Sequence, residues 1–177
     1  RFHGAEAPVR TVSGSARVQR VIAGNEAAIA ALPAGVLPAR QVARLHRATM
    51  QAFAAQRDLL DRRSDAGFVR HCHGDLHLKN MCLWHCEPVL FDCLEFDPDL
   101  ATTDTLYDLA FLIMDLVVHD RIEAANLVLN RYCDMVGDNK GVGGGDGLAA
   151  MPLFLSMRAC VRAHVSALEA AAMADAG

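Results

Sequence analysis

The segment HGDLHLKN, residues 73–80, carries the strongest structural signal in the sequence. Two brief apolar runs follow it, at residues 81–84 and 88–91, and are typical of the two strands of a small hairpin. The second run ends on Asp92. Two acidic side chains, Asp75 within the segment and Asp92 after it, therefore flank one predicted hairpin.

Helical periodicity dominates the chain on both sides of this region. Two helices are predicted between residues 16 and 63, separated near the prolines at 33 and 38, with Ser13 or Ser15 as the cap of the first. A short strand is predicted at residues 68–72. Three further helices are predicted at residues 104–119, 121–136 and about 148–172. The sequence thus predicts an α+β fold that is mainly helical.

Several polar residues of the helical part have structural explanations. Asp104 and Asp108 stand where an apolar helix begins, and negative charge there favours a cap or first-turn role. Tyr107 is expected to pack. Arg158 and Arg162 lie four residues apart on the last helix and are expected to be solvated or structural, with contact to an anionic substrate or a neighbouring domain as the alternative. The glycine-rich residues 137–147 are predicted to be a flexible connection.

Composition excludes several classes of protein. The chain has 177 residues, is 53% hydrophobic and carries a net charge of -4, so we expect one globular unit and no nucleic acid partner. The longest apolar stretch, residues 106–118, contains two aspartates and falls short of the roughly 20 residues that cross a membrane. No membrane span is predicted.

Six cysteines are present, but they do not have the regular spacing of a disulfide framework, and no signal segment opens the chain. A cytoplasmic location is therefore expected. The sequence begins with Arg1 rather than Met and ends on a tail of small residues, so we expect it to be a fragment of a longer protein.

Asp75, Asn80 and Asp92 together provide the side chains that phosphoryl transfer requires. One carboxylate must orient the attacking hydroxyl and accept its proton, and further oxygen ligands must hold magnesium against the phosphates. Mg²⁺ prefers carboxylate and amide oxygens and keeps several waters, so one Asp and one Asn are sufficient. A loop whose Asp and Asn only satisfy turn backbone groups is the structural alternative.

The pattern His-Gly-Asp-Leu-His-x-x-Asn, at residues 73–80, closely resembles the catalytic motif of the aminoglycoside phosphotransferase family and its choline- and homoserine-kinase relatives. Residues 89–96 and 106–112 are similar to a bacterial subgroup in which the kinase-like domain often precedes a P-loop ATPase domain. The resemblance spans about residues 10–168. It implies that the whole chain, residues 1–177, is a single protein-kinase-like C-terminal lobe with the N-lobe absent.

The resemblance also implies roles for individual residues. Asp75 corresponds to the catalytic base, His73 braces the catalytic loop, and Asn80 and Asp92 bind Mg²⁺ and with it the nucleotide. The implied cofactors are ATP and Mg²⁺, and the implied substrate is a hydroxyl group of a small molecule. Asp92 is followed by Cys93 rather than by the Phe-Gly of protein kinases, so kinase-type switching is not expected here.

Part of a complete kinase is missing from the sequence. No glycine-rich strand-turn-strand is present, and the two lysines, Lys79 and Lys140, lie in the loop and in the glycine-rich segment rather than on a strand. We therefore expect the longer protein to be the enzyme and this segment alone to be inactive.

Two other functions are compatible with the sequence. The first is a pseudokinase-like ligand-binding or regulatory module attached to an ATPase domain. The second is a zinc module, although no Cys-x-x-Cys pair occurs and buried cysteines that pack as small apolar groups are the simpler explanation. The residues that suggest zinc are His71, Cys72, His73, His77, Cys82, His85, Cys86 and Cys93.

Overall fold

The structure is a computed structural model that describes residues 2–136 and 147–175. Of the predicted glycine-rich connection, residues 137–147, only Gly147 is among these described residues. The helices and strands follow the chain in the order α1 Phe2–Ala5, α2 Gly14–Ala30, α3 Ala39–Asp65, β1 Val69–His71, β2 Met81–Trp84, β3 Glu87–Leu90, α4 Pro98–Ala101, β4 Thr102–Asp104, α5 Thr105–Val118, α6 Ile122–Val136 and α7 Met151–Asp175. The prediction of a mainly helical α+β fold is confirmed.

The long helices begin where the sequence predicts them. Ser13 caps α2, since its Oγ accepts a hydrogen bond from the amide of Ala16 at 3.2 Å. Asp104 caps α5 through the amide of Leu106 at 2.8 Å. Pro38 stands directly before α3, where its missing N–H removes no helical hydrogen bond.

The predicted hairpin is confirmed. Strands β2 and β3 are antiparallel, with Met81 opposite Leu90 and Trp84 opposite Glu87. The two turn residues between them, His85 and Cys86, have φ angles of 49° and 64°. Positive φ at both central residues matches the right-handed twist of the paired strands, so this two-residue turn closes the hairpin tightly.

A second small sheet was not predicted. Strand β1 pairs antiparallel with β4, and Val69 lies opposite Asp104. The amide of Cys72 continues this contact by donating to the carbonyl of Ala101 at 2.8 Å. These contacts therefore attach Cys72, the residue directly before the HGDLHLKN segment, to the chain that leads into α5.

Helix α5 forms the centre of the core and packs against α6 and α7, and its buried residues belong to the same hydrophobic core as residues of α2 and α3. Its residues are buried on almost every side from Thr105 to Leu116, and Leu106 and Ala110 are fully buried. Tyr107 packs edge-on against Phe154 of α7, as expected. Among the described residues, no helix combines the length and apolar character needed to cross a membrane.

An ion pair at the start of α5 joins this helix to α3. The guanidinium of Arg63 is fully buried and donates from Nε and Nη2 to both carboxylate oxygens of Asp104, at 2.7 and 2.9 Å. It also stacks over Phe68, 4.3 Å from the ring centroid. Gly147, before α7, lies so close that a Cβ there would be 2.1 Å from Arg63 Nη1.

Replacing Arg63 with Met should lower the free energy of unfolding by about 3–5 kcal/mol, because it leaves the carboxylate of Asp104 buried without its partner. Urea denaturation monitored by circular dichroism measures this change. Arg20→Met, which breaks the exposed pair with Asp99, is the matched control and should cost less than about 1 kcal/mol. Equal losses for the two variants would contradict this account of the α3–α5 junction.

Candidate functional site

Asp75 and Asn80 are brought together within the HGDLHLKN segment. Residues 78–80 form one turn of 3₁₀ helix, which buries Asn80. The amide Nδ2 of Asn80 donates to the Oδ2 of Asp75 at 2.9 Å and to its carbonyl oxygen at 3.0 Å. Two hydrogen bonds from one side chain therefore fix both the backbone and the carboxylate of Asp75.

His77 provides a second contact to the same carboxylate. Its Nε2 lies 3.3 Å from the Oδ2 of Asp75, and its Nδ1 accepts a hydrogen bond from the amide of Lys79 at 3.2 Å. The ring packs edge-on against Phe111 of α5. The sequence placed His77 in the motif but gave it no role, whereas the structure places it as a positioning residue for Asp75.

Asp75 and Asp92 line the same cleft, which has a volume of about 450 Å³. The remaining lining comes from residues 93–96, directly after Asp92. Asp92 has a φ angle of 59°, a left-handed conformation that Asp tolerates better than most residues and that turns the chain after the hairpin. Asn80 is buried beside Asp75 and does not line the cleft.

The chemistry of the cleft fits a hard divalent cation. Three carboxylates, those of Asp75, Asp92 and Glu95, line it, and no basic side chain does. Asn80 lies beside this lining rather than in it and uses its amide nitrogen to hold Asp75, so Oδ1 is the one side-chain atom that it could offer to a metal. Oxygen donors of this kind are those that Mg²⁺ prefers.

His73 lies behind the cleft and does not line it. Its Nε2 donates to the carbonyl of Phe91 at 2.9 Å, and its own carbonyl accepts from the amide of Leu94 at 2.9 Å. The amide of Phe91 donates in turn to the carbonyl of Asn80 at 3.1 Å. Three hydrogen bonds therefore attach the segment that carries Asp92 to the segment that carries Asp75.

Gly74 permits the close approach of these two segments. Its φ angle is 80°, and a Cβ at this position would lie 2.6 Å from Cδ1 of Leu94. Any other residue would be strained in its backbone and would displace Leu94. The close packing of Leu94 against residue 74 therefore explains why the motif has glycine at this position.

Asp108 anchors the first half of the loop. It lies in the first turn of α5, as the sequence predicts, but it is fully buried and does more than complement the helix dipole. Its Oδ1 accepts from the amide of Gly74 at 2.9 Å, and its Oδ2 accepts from the amide of His73 at 3.1 Å. Neither contact is apparent from the sequence.

Two basic side chains accompany the buried carboxylate of Asp108. His3 Nε2 lies 2.9 Å from Oδ2, and Arg158 Nη2 lies 3.5 Å from Oδ1. Burial by itself raises the pKa of Asp108, but the hydrogen bond from His3 and the charge of Arg158 outweigh it, so the pKa lies below its ordinary value. Arg158 also lies 3.9 Å above the ring of Tyr107, which makes it the structural residue that we predict.

Asp115 anchors the second half of the loop from the same helix. It is buried, and its Oδ2 accepts from the amide of Leu78 at 2.9 Å. Arg162 Nη2 lies 3.8 Å from its Oδ1. Two aspartates seven residues apart in an otherwise apolar helix are the sequence signal that could have revealed these anchors, since a buried carboxylate requires partners.

The His and Cys residues that suggested the zinc alternative are not assembled into a zinc site. Among the described residues, the one group with metal-ligand spacing joins Cys72 to His3 and Asp108, with ligand atoms within 4.8 Å of one another. Both ring nitrogens of His3 already bind, one to the Tyr132 hydroxyl at 2.7 Å and one to Asp108. Burial, followed by the charge of Asp108, raises the pKa of Cys72 well above its ordinary value, which disfavours the thiolate that zinc requires. His3 and Asp108 are a hydrogen-bonded pair, and the Sγ of Cys72 donates instead to the carbonyls of Arg70 and Thr103 at 3.4 and 3.5 Å.

The expectation that the cysteines pack as buried apolar groups is confirmed only in part. Cys72 and Cys133 are buried, whereas Cys82 and Cys86 lie exposed on the hairpin. At the base of the hairpin, Met81 and Leu90 pack against the core, whereas Cys82 and its neighbour Leu83, which point to opposite faces farther along the strand, both remain exposed.

Comparison with known proteins gives distant relatives of much greater length. Three proteins named as uncharacterized, one from Mycobacterium bovis and two from Mycobacterium tuberculosis strains, are each 33% identical to this chain over 99 residues. The match covers 56% of this chain and 19% of each relative, so it spans about a fifth of their length. No protein family model matches the chain, and no solved structure matches it.

Replacing Asp108 with Asn should destabilise the protein by about 3 kcal/mol at neutral pH, because the variant leaves Arg158 buried without its partner. The pKa of Asp108 is lowered in the folded state, so its ionised form stabilises the fold above 3.8 and this contribution is lost as the pH falls below that value. Urea denaturation between pH 7 and pH 2 should therefore show the two proteins converging in acid. Asp120→Asn, at an exposed carboxylate after α5, is the control, and parallel curves for wild type and Asp108→Asn would contradict the prediction.

Proposed function

We propose that this chain is the catalytic-loop half of an ATP- and Mg²⁺-dependent phosphotransferase that acts on a hydroxyl group of a small molecule. The observation that carries the proposal is the arrangement of Asp75 and Asp92 around one cleft, with Asn80 hydrogen-bonded to Asp75. The resemblance to the aminoglycoside phosphotransferase family assigns the same three residues to this chemistry. The motif does not include the side chains that would select the substrate, so it does not identify the substrate.

Asp75 is the residue that accepts the proton of the attacking hydroxyl. Asn80 and His77 hold its carboxylate in one orientation, which matters because phosphoryl transfer depends mainly on positioning and on charge stabilisation. Its side chain is 35% exposed, so a substrate in the cleft can reach it.

Asp92 and the Oδ1 of Asn80 are the groups that would hold Mg²⁺. When bound, the ion supplies charge neutralisation on the phosphates that are transferred. His73 fixes the position of Asp92 relative to Asp75, because its ring and its carbonyl bind the backbone on both sides of Asp92. His73 is thus a positioning residue in this mechanism.

The rest of the nucleotide site must come from elsewhere in a longer protein. The described part of this chain presents neither a glycine-rich strand-turn-strand nor a lysine on a strand, which the reaction requires. The greater length of the mycobacterial relatives is compatible with an N-lobe and a fused P-loop ATPase domain. We place such a protein in the cytoplasm.

Asp75→Asn and Asp92→Asn should each lower Mg²⁺-dependent phosphoryl transfer from ATP by at least about a hundredfold in the longer protein, because the first removes the proton acceptor and the second a metal ligand. The assay screens a panel of small hydroxyl compounds with radiolabelled ATP. Asp99→Asn, at an exposed carboxylate on α4 outside the cleft, is the matched control. Nucleotide binding without any effect of the two substitutions would instead indicate a pseudokinase-like regulatory module.

The isolated 177-residue chain should show no phosphoryl transfer, because it lacks the groups that grip the nucleotide phosphates. The same radiolabel assay, run at high protein concentration with the active longer protein as the reference, tests this. Measurable turnover by the isolated chain would contradict the assignment of the N-lobe as an essential missing part.

A further inference from the structure

A second cavity, larger than the cleft, lies between α2, α3 and α7 and has a volume of about 610 Å³. It shares no lining residue with the cleft that contains Asp75 and Asp92. Met157 and Cys160 of α7 line the cavity, whereas Arg158 and Arg162 of the same helix contact carboxylates of α5. The cavity is therefore a feature that the proposed reaction does not use.

The first half of α3 contributes little to the core, and the cavity lies beside it. Every buried residue of α3 belongs to its second half, from Phe53 onward. In the first half, Val42 and Leu45 face the cavity, opposite Ile22 of α2. The connection between α2 and α3 closes one end, and its Gly35 has a φ angle of 88°. Mostly apolar side chains thus line a space that is partly open to solvent and that none of the described residues fills.

The wall of this cavity carries one carboxylate that has an ion-pair partner and one arginine that has none among the described residues. Glu26 and His46 bind each other at 2.5 Å, and each is about half exposed. Arg47 also lines the cavity, and among the described residues no carboxylate lies within ion-pair distance of it. Arg40 and Arg44, exposed on the same helix, add positive charge nearby. With Arg40, Arg44 and Arg47 near the mouth and Glu26 paired with His46, positive side chains outnumber carboxylates there, which favours an anionic head group.

We propose that this cavity binds a small amphiphilic carboxylate, with its apolar body between Ile22, Val42 and Met157 and its carboxylate against Arg47. The volume lies within the range of small-molecule sites, which are mostly apolar and carry a few polar groups that fix the ligand's orientation. A single unbranched chain of medium length suits a space enclosed by helices on three sides. The proposal is independent of phosphoryl transfer.

The test is isothermal titration calorimetry of the 177-residue chain with three probes that share one apolar body: decanoate, decanol and decylammonium, each below its aggregation concentration. Decanoate should bind at one site per chain and at least about fivefold more tightly than decylammonium. Arg47 attracts the carboxylate of decanoate and repels the ammonium group of decylammonium. Arg47→Gln should weaken decanoate binding about threefold to fivefold. Arg44→Gln, on the same helix but outside the lining, should change it less than twofold.

A cavity-filling variant distinguishes this site from the rest of the surface. Ala43 lines the cavity, so Ala43→Trp should abolish decanoate binding while the circular dichroism spectrum stays unchanged. Leu83→Ala, on the exposed hairpin, should leave decanoate binding intact. Equal affinity for the three probes, binding that survives Ala43→Trp, or association only with phosphatidylglycerol vesicles and not with monomeric decanoate would each overturn the proposal.

Discussion

The carboxylate of Asp108 is the group on which the candidate site depends most. It is fully buried and accepts hydrogen bonds from the consecutive amides of His73 and Gly74. A buried carboxylate is costly without compensation, and here His3 and Arg158 provide it. Because these partners lie on α1 and α7, one side chain connects the loop to both ends of the described chain.

Helix α5 gives the loop a fixed geometry. Asp108 holds its first residues and Asp115 holds Leu78, so Asp75 lies between two anchors on one rigid element. Seven residues along a helix correspond to about 10 Å, a spacing that loop movement cannot change. The segment that carries Asp92 is attached to this loop in turn by backbone hydrogen bonds. Both acidic residues of the cleft are thus positioned from α5.

The longer elements were predictable because their signals are local. Apolar spacing, Ser13 and Asp104 mark the helices, and two apolar runs separated by a short polar turn mark the hairpin. Helices α1 and α4 and strand β4 were not predictable, because three or four residues are too few to show a period. Strand β4 forms only where β1 lies beside it, and that pairing depends on how the helices pack.

The sequence by itself determined the side chains available for chemistry: Asp75 and Asn80 at a fixed spacing, and Asp92 one hairpin later. Only the tertiary structure decided that Asp75 and Asp92 share a cleft and that Asp108, 34 residues after Gly74, anchors the start of the loop that carries Asp75. The reason is physical. Turns, caps and hairpins follow from interactions between neighbouring residues, whereas the partner of a buried carboxylate is chosen by the packing of helices that are distant in the chain.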